Sequence, residues 1–283
     1  MSGYSSGPPT EVAVEDPSSI KEPEPVEEPK PLVVRYNLNG DLYRLPTELL
    51  DSIYDSLSSG TSTAVDVKEH IDSTTYNPSF LPQICQTSVE TLWDAAPAFI
   101  RNAIFETRSF KANRFLHQFL ESVPNGHGFD SVKRLHFHSF QHFPQNSDLV
   151  SSDIALMKRC SSLHTVLLNF HVSKLVTPEP RWDPYDEGLT ASHPRSVEEI
   201  VEHYQLEGLI ECAALKKIVF VGIDQYAIGR SCSADPLTAL HDLGAWLKEQ
   251  FAERKKRYVD IGYYYRCGRY LTDLYHLDAE VET

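Results

Sequence analysis

The sequence predicts a mixed αβ body of parallel strands, preceded by a helical region and an acidic tail. The first observation behind this is a template shared by four segments beyond Asn125, an apolar residue followed three and five positions later by two more. Its copies are Val132, Leu135, Phe137; Leu163, Val166, Leu168; Leu215, Ile218, Phe220; and, more weakly, Tyr258, Ile261, Tyr263. The second is a helical pattern between copies. Ser152 or Asp153 opens a helix to Arg159, Ser196 with Glu199 as a capping box opens one toward Ala213, and Asp235 with Pro236 opens one to about Lys255. The third is an internal match, MKRCSSLHTVLL from Met157 against LIECAALKKIVF from Leu209, 52 residues apart in register.

Strand and helix in alternation imply parallel strands joined by right-handed crossovers. Spacings of 31, 52 and 43 residues between leading positions are too uneven for a tight solenoid. An apolar template with one helix per unit predicts a short leucine-rich-repeat-like curve over residues 125–283. The alternative is a conventional open αβ sheet, whose strand order would have to reverse.

The chain before this body divides in two. Residues 1–31 are proline-rich, with seven acidic side chains against Lys21 and Lys30 and almost nothing to bury, so a disordered tail is expected. Residues 32–124 read as helical. Leu45 and Pro46 open a helix in which Leu49, Leu50, Ile53, Tyr54 and Leu57 recur at three- and four-residue spacing. Residues 58–76 are polar and read as a loop. Further helices are predicted from Ser79 to Thr91, from Pro97 to Thr107 with Phe99, Ile100, Ala103 and Ile104 on one face, and from Asn113 to Val123 with Phe115, Leu116, Phe119 and Leu120 as the stripe.

Composition narrows function by exclusion. Among 283 residues, 41% are hydrophobic, yet no run approaches the length of a membrane helix. The start, MSGYSSGPPTEVAVED, lacks both an apolar and a basic segment of a secretory signal, so a cytoplasmic or nuclear location is expected. A formal charge of −14 opposes nucleic acid. The basic run Arg254 to Arg257 is placed to complement the end of its helix. Cys85, Cys160, Cys212, Cys232 and Cys267 show no CxxC pairing and read as reduced, mostly buried thiols.

No nucleophile elbow, phosphate-binding loop, dinucleotide fingerprint or HExxH motif is present. Cys232 and His241 are too loosely related to form a nucleophile and base. Asp183, Asp186 and Glu187 read as a solvated loop. His136, His138 and His142 form an HxHxxxH array of the kind that binds zinc or iron. Against that, the next acidic residue after the array is Asp148, and the aromatics Phe137, Phe140 and Phe143 suggest an exposed recognition strip. Neither an enzyme nor a cofactor or metal is therefore expected; a metal-dependent hydrolase built around His136 and His138 is the last of the alternatives. The strand face opposite the core, with His136, His138, Leu167, Asn169, Val219, Val221 and Tyr264, is the expected partner-binding surface unless a further helical layer covers it.

The string LPTELLDSIYDSL, Leu45 to Leu57, resembles the first helix of the F-box in fungal F-box-like proteins. LPQICQTSVETLWDAAPAFIRNAIFETRSF, Leu81 to Phe110, resembles their second conserved block, with Gln86 in place of the usual arginine. The helix carrying Phe115, Leu116 and Leu120 and the strand VKRLHFH follow in the same order, so the similarity covers roughly residues 42–170. The resemblance implies F-box-like helices over 32–124, with Leu45, Pro46, Leu49, Ile53 and Leu57 docking a Skp-type adaptor of an SCF ubiquitin ligase while the body, a monomer outside complexes, recruits an unknown protein target. An amphipathic helix buried in the protein's own core would show the same stripe. The first alternative to a ligase adaptor is a ligase-independent interaction scaffold.

Overall fold

Apolar residues at a period of two set one face of each strand against helices. Leu135 and Phe137, Val166 and Leu168, and Ile218 and Phe220 do so at 0–1% exposure. The computed structural model describes residues 64–86, 88–140, 151–178, 192–224, 232, 234–267 and 275–276, with Leu49, Ser52, Ile53 and Ser56. The tail lies outside the described residues.

The described strands are β1 (Ala64–Asp66), β2 (Ile104–Thr107), β3 (Arg134–Phe137), β4 (Thr165–His171), β5 (Val176–Pro178), β6 (Ser192–Pro194), β7 (Lys217–Asp224), β8 (Asp260–Cys267) and β9 (Tyr275–His276). The main sheet has the order β1-β2-β3-β4-β7-β8-β9, parallel from β1 to β8 and antiparallel only at β9. Strand order follows chain order with no reversal. β5 and β6 form a separate antiparallel pair.

The described helices are α1 (Val89–Asn102), α2 (Phe110–Ser122), α3 (His127–Ser131), α4 (Ser152–Arg159), α5 (Val197–Tyr204), α6 (Glu207–Ile210) and α7 (Thr238–Lys255). Serine starts four of them by satisfying an orphan N–H: Ser88 accepts from Thr91, Ser109 from Ala112, Ser151 from Ile154 and Ser196 from Glu199, whose carboxylate completes the predicted capping box. Each helix places residues in the one apolar cluster that the inward strand residues share, among them Phe99, Leu116, Phe129, Met157, Ile200, Leu209 and Leu247. Phe140, Phe170, Tyr204 and Phe220 stack within it at centroid separations of 5.1–5.9 Å.

Several sequence expectations need correction. The helix predicted from Ser79 is a short 3₁₀ turn, Gln83–Gln86, and α1 runs straight through Pro97, which gives up one intrahelical bond rather than starting a new helix. That helix stops at Asn102, so Ile104 belongs to β2 and not to a helical stripe. The loop expected at 58–76 contains β1 and the 3₁₀ turn Val67–His70. Gln205, at φ 55°, separates α5 from α6 where one helix was expected. Because β1 and β2 join the sheet, it runs unbroken across the boundary expected at residue 124.

The fourth template copy was also misaligned at its start. Tyr258 is 76% exposed, while its neighbour Val259 is fully buried. Nor does the basic run serve its own helix alone. Arg257 donates to the carbonyls of Cys212 at 2.6 Å and Leu215 at 3.1 Å and lies over the Phe251 ring, so it ties α7 to the turn after α6. Cys85, Cys160 and Cys212 are buried free thiols, as expected, and burial pushes Cys85 and Cys212 up to about 11. Among the described residues no helix is long and apolar enough to cross a membrane.

Two outcomes follow from this packing. Val259→Ala lowers unfolding free energy by about 2 kcal/mol in urea titrations, whereas Tyr258→Ala changes it by less than about 0.5 kcal/mol. The reverse ranking would restore the original template. Asp153, in the first turn of α4 and hydrogen-bonded by Asn113, is pushed by burial up to about 7. Its unfolded value is about 3.9, so this group costs nothing below that value, destabilises the fold progressively as pH rises from about 4 to about 7, and adds no further loss above that. Urea midpoints at pH 5 and pH 8 then differ in favour of pH 5, and Asp153→Asn reduces the difference by an amount on the order of 2–4 kcal/mol.

Candidate functional site

Parallel register carries the outward residues of successive strands into straight rows. One row runs Asp66, Glu106, His136, Leu167, Val219 and Gly262 across six strands. The next holds Asn169, Val221 and Tyr264. His138, just beyond β3, joins it through a 3.1 Å hydrogen bond between its Nδ1 and the Asn169 amide. The seven residues expected to bind a partner therefore share one face. None of them belongs to the helix-packed apolar cluster, to which α1 to α7 all contribute from the other side. Val219 and Val221 are nonetheless buried, while Leu167 and Tyr264 are partly exposed.

The face divides by chemistry. Its early strands carry charge. Glu106 lies 3.8 Å from His136 Nδ1 and 3.0 Å from His138 Nε2, and Arg108 binds Asp66 at 2.7 Å while reaching Glu106 at 3.6 Å. Burial holds both imidazoles below the usual histidine range, opposed by the Glu106 charge; for His138 the Arg108 guanidinium adds to the lowering. The later strands present Leu167, Val219 and Val221 beside Gly262, where an added Cβ would meet only Val219 at 3.8 Å.

The sequence reading finds no carboxylate for the histidines, and here the structure overturns it. Glu106 is 30 residues from His136 in the chain but directly opposite it in the sheet. The signal was present as alternation in AIFETR, where Phe105 and Thr107 turn inward and Glu106 turns outward; it was hidden by the helical stripe running into it. The expected exposed aromatic strip is also corrected. Phe137 and Phe140 are buried at 1% and 0%, Phe140 stacked on Tyr204.

Of the adaptor-docking residues, Leu49 is helical and 51% exposed and Ile53 is helical and partly buried. Leu45, Pro46 and Leu57 lie outside the described residues, as do His142, Phe143, Asp183, Asp186 and Glu187. His241 stacks on Tyr263 at 4.2 Å. A groove also opens on the helical layer between Ile154, Val201 and Trp246. Its flanking charges are largely spent in ion pairs, Lys158 with Glu211 at 2.6 Å and Arg254 with Glu207 at 3.5 Å, so the sheet face has the stronger claim to chemistry.

Adjacent residues of β4 separate the two faces experimentally. Leu167→Glu leaves the urea midpoint within about 1 kcal/mol of the parent, while Leu168→Glu, which buries an unpaired charge, prevents cooperative folding. A severe loss at Leu167 would show that the face is closed. No protein-family model, no curated protein and no solved structure matches the chain.

Proposed function

We propose that the chain is a protein-interaction module of leucine-rich-repeat-like build, holding a protein partner on the open face of its sheet. In the same reading the 45–57 segment docks a Skp-type adaptor, so that the partner is recruited to an SCF-type ubiquitin ligase. The chain itself performs no reaction.

The observation that carries the reading is the order of the parallel strands. With no reversal, one face collects the helices and the other keeps a continuous strip from His136 and His138 through Leu167 to Val219, Val221 and Tyr264. Repeat proteins bind extended partners on surfaces of this kind. A half-apolar strip with directional imidazole and amide groups at one end suits a protein partner, since apolar area supplies affinity and polar groups fix register. The exposure of Leu49 supports an accessible docking helix.

Affinity measurements on the full chain test both ends. A purified Skp-type adaptor binds, and Leu49→Asp with Ile53→Asp weakens binding at least tenfold, while Leu167→Glu does not affect it. Cellular partners captured by the full chain are lost with Leu167→Glu or Tyr264→Ala. Failure of the adaptor to bind removes the ligase role. Partners indifferent to both face variants remove the sheet face as the recognition surface.

A further inference from the structure

We propose that Glu106, His136 and His138 form a three-ligand site for a divalent transition-metal ion, with zinc the best match to the donor set. The inference stands apart from the partner-binding reading and needs only the geometry of β2 and β3.

Three strand positions bring the donors together. Glu106 and His136 are direct cross-strand neighbours, and His138 follows His136 by two residues and so projects to the same side. One donor atom from each lies within 4.8 Å of the other two. Metal–ligand bonds of about 2.0–2.2 Å place neighbouring donors about 3.0–3.5 Å apart. One carboxylate oxygen stands 3.0 Å from His138 Nε2 and the other 3.8 Å from His136 Nδ1, so ligation draws donors now within 4.8 Å of one another inward by up to about 1.5 Å, a side-chain movement.

The groups around the donors fit the same role. His138 Nε2 faces the Glu106 carboxylate at 3.0 Å and its Nδ1 lies 3.1 Å from the Asn169 amide, whose Oδ1 is a buried atom with no hydrogen bond among the described residues. With the Asn169 amide turned over, Oδ1 accepts from Nδ1–H and is no longer unmet. The tautomer this fixes presents the Nε2 lone pair on the side of the Glu106 carboxylate, where an ion held by both would sit. A second group that orients the imidazole in this way is a regular feature of histidine metal sites.

Donor type selects the ion. Two imidazoles and one carboxylate disfavour magnesium and calcium, which take oxygen donors, and suit zinc among the common divalent ions. Arg108 is the one nearby competitor for Glu106 among the described residues, but it is 46% exposed and sits closer to Asp66 than to Glu106. Three protein ligands leave further coordination positions, and these open on the sheet face that carries no described helix.

Calorimetric titration of the full-length, chelator-treated chain with zinc chloride at neutral pH tests the site. One zinc per chain binds with a micromolar or lower Kd. His136→Ala, His138→Ala and the near-isosteric Glu106→Gln each weaken it at least tenfold, and Asn169→Ala weakens it by roughly tenfold through loss of ring orientation. His193→Ala and His241→Ala leave it unchanged. Circular dichroism confirms folding of each variant, and Glu106→Gln keeps the test decisive if an alanine variant misfolds. Absence of stoichiometric binding, or stoichiometric binding indifferent to Glu106→Gln, overturns the proposal.

Discussion

The handedness of the crossovers constrains everything else in this molecule. Each connection from β1 through β8 steps to the adjacent strand in the same direction, and right-handed crossovers in an unreversed sheet must all pass over the same face. Helices α1 to α7 accordingly share a single apolar cluster with the inward strand residues. The cluster explains why Phe105, Leu135, Val166, Ile218 and Ile261 align across the sheet: each is the strand half of a sheet-to-helix contact. The opposite face owes nothing to that core. Whatever the sequence places at alternate positions is displayed there in rows, whether or not it is suited to water.

Legibility in the sequence followed the strength of local periodicity. β3, β4 and β7 were readable because each sets two inward apolar residues after a leading one, and the 52-residue match proved to be two units of the same sheet. The serine caps were readable for the same reason, being complete within four residues. β1 and β2 were not, since three or four residues carry too little alternation to stand out from a polar loop or from the end of a helix. The cost fell on the candidate site. His136 and His138 were visible as a pair, but Glu106 becomes their neighbour only through strand pairing, which single-sequence spacing does not reveal. The absence of a reversal in strand order was equally a property of pairing alone.

Electrostatics on the open face is governed by partial burial. Glu106 is only 18% exposed and faces two histidines that burial holds neutral, so its charge is offset chiefly by Arg108, which it shares with Asp66. A carboxylate that shares a half-exposed guanidinium with a second carboxylate has few close partners, and a buried charge needs close partners to recover its lost hydration. The cluster thus retains an appetite for positive charge even in a region where burial prevents the histidines from supplying it. Acidity spread over the chain does not create that appetite, since exposed charges more than about 10 Å away are largely screened.

The apolar half of the face poses the complementary problem. Val219 and Val221 are buried to 6% and 7% without touching the main core, while Leu167 between them and the histidines stays partly open. Burial of an aliphatic side chain is worth about 1.5–3 kcal/mol, so completing the cover over this strip is favourable for any partner of matching shape. Apolar contact alone, however, has no direction and would accept many partners. Glu106, His136 and His138, fixed one strand away by the same register that aligns Leu167 and Val219, supply that direction. A partner that covers the apolar strip meets the polar cluster at a spacing set by the sheet, and must bring a group able to satisfy it or pay the desolvation of leaving it unmet. In the proposed reading, the two halves of the face act as one recognition surface, with area from β4 and β7 and discrimination from β2 and β3.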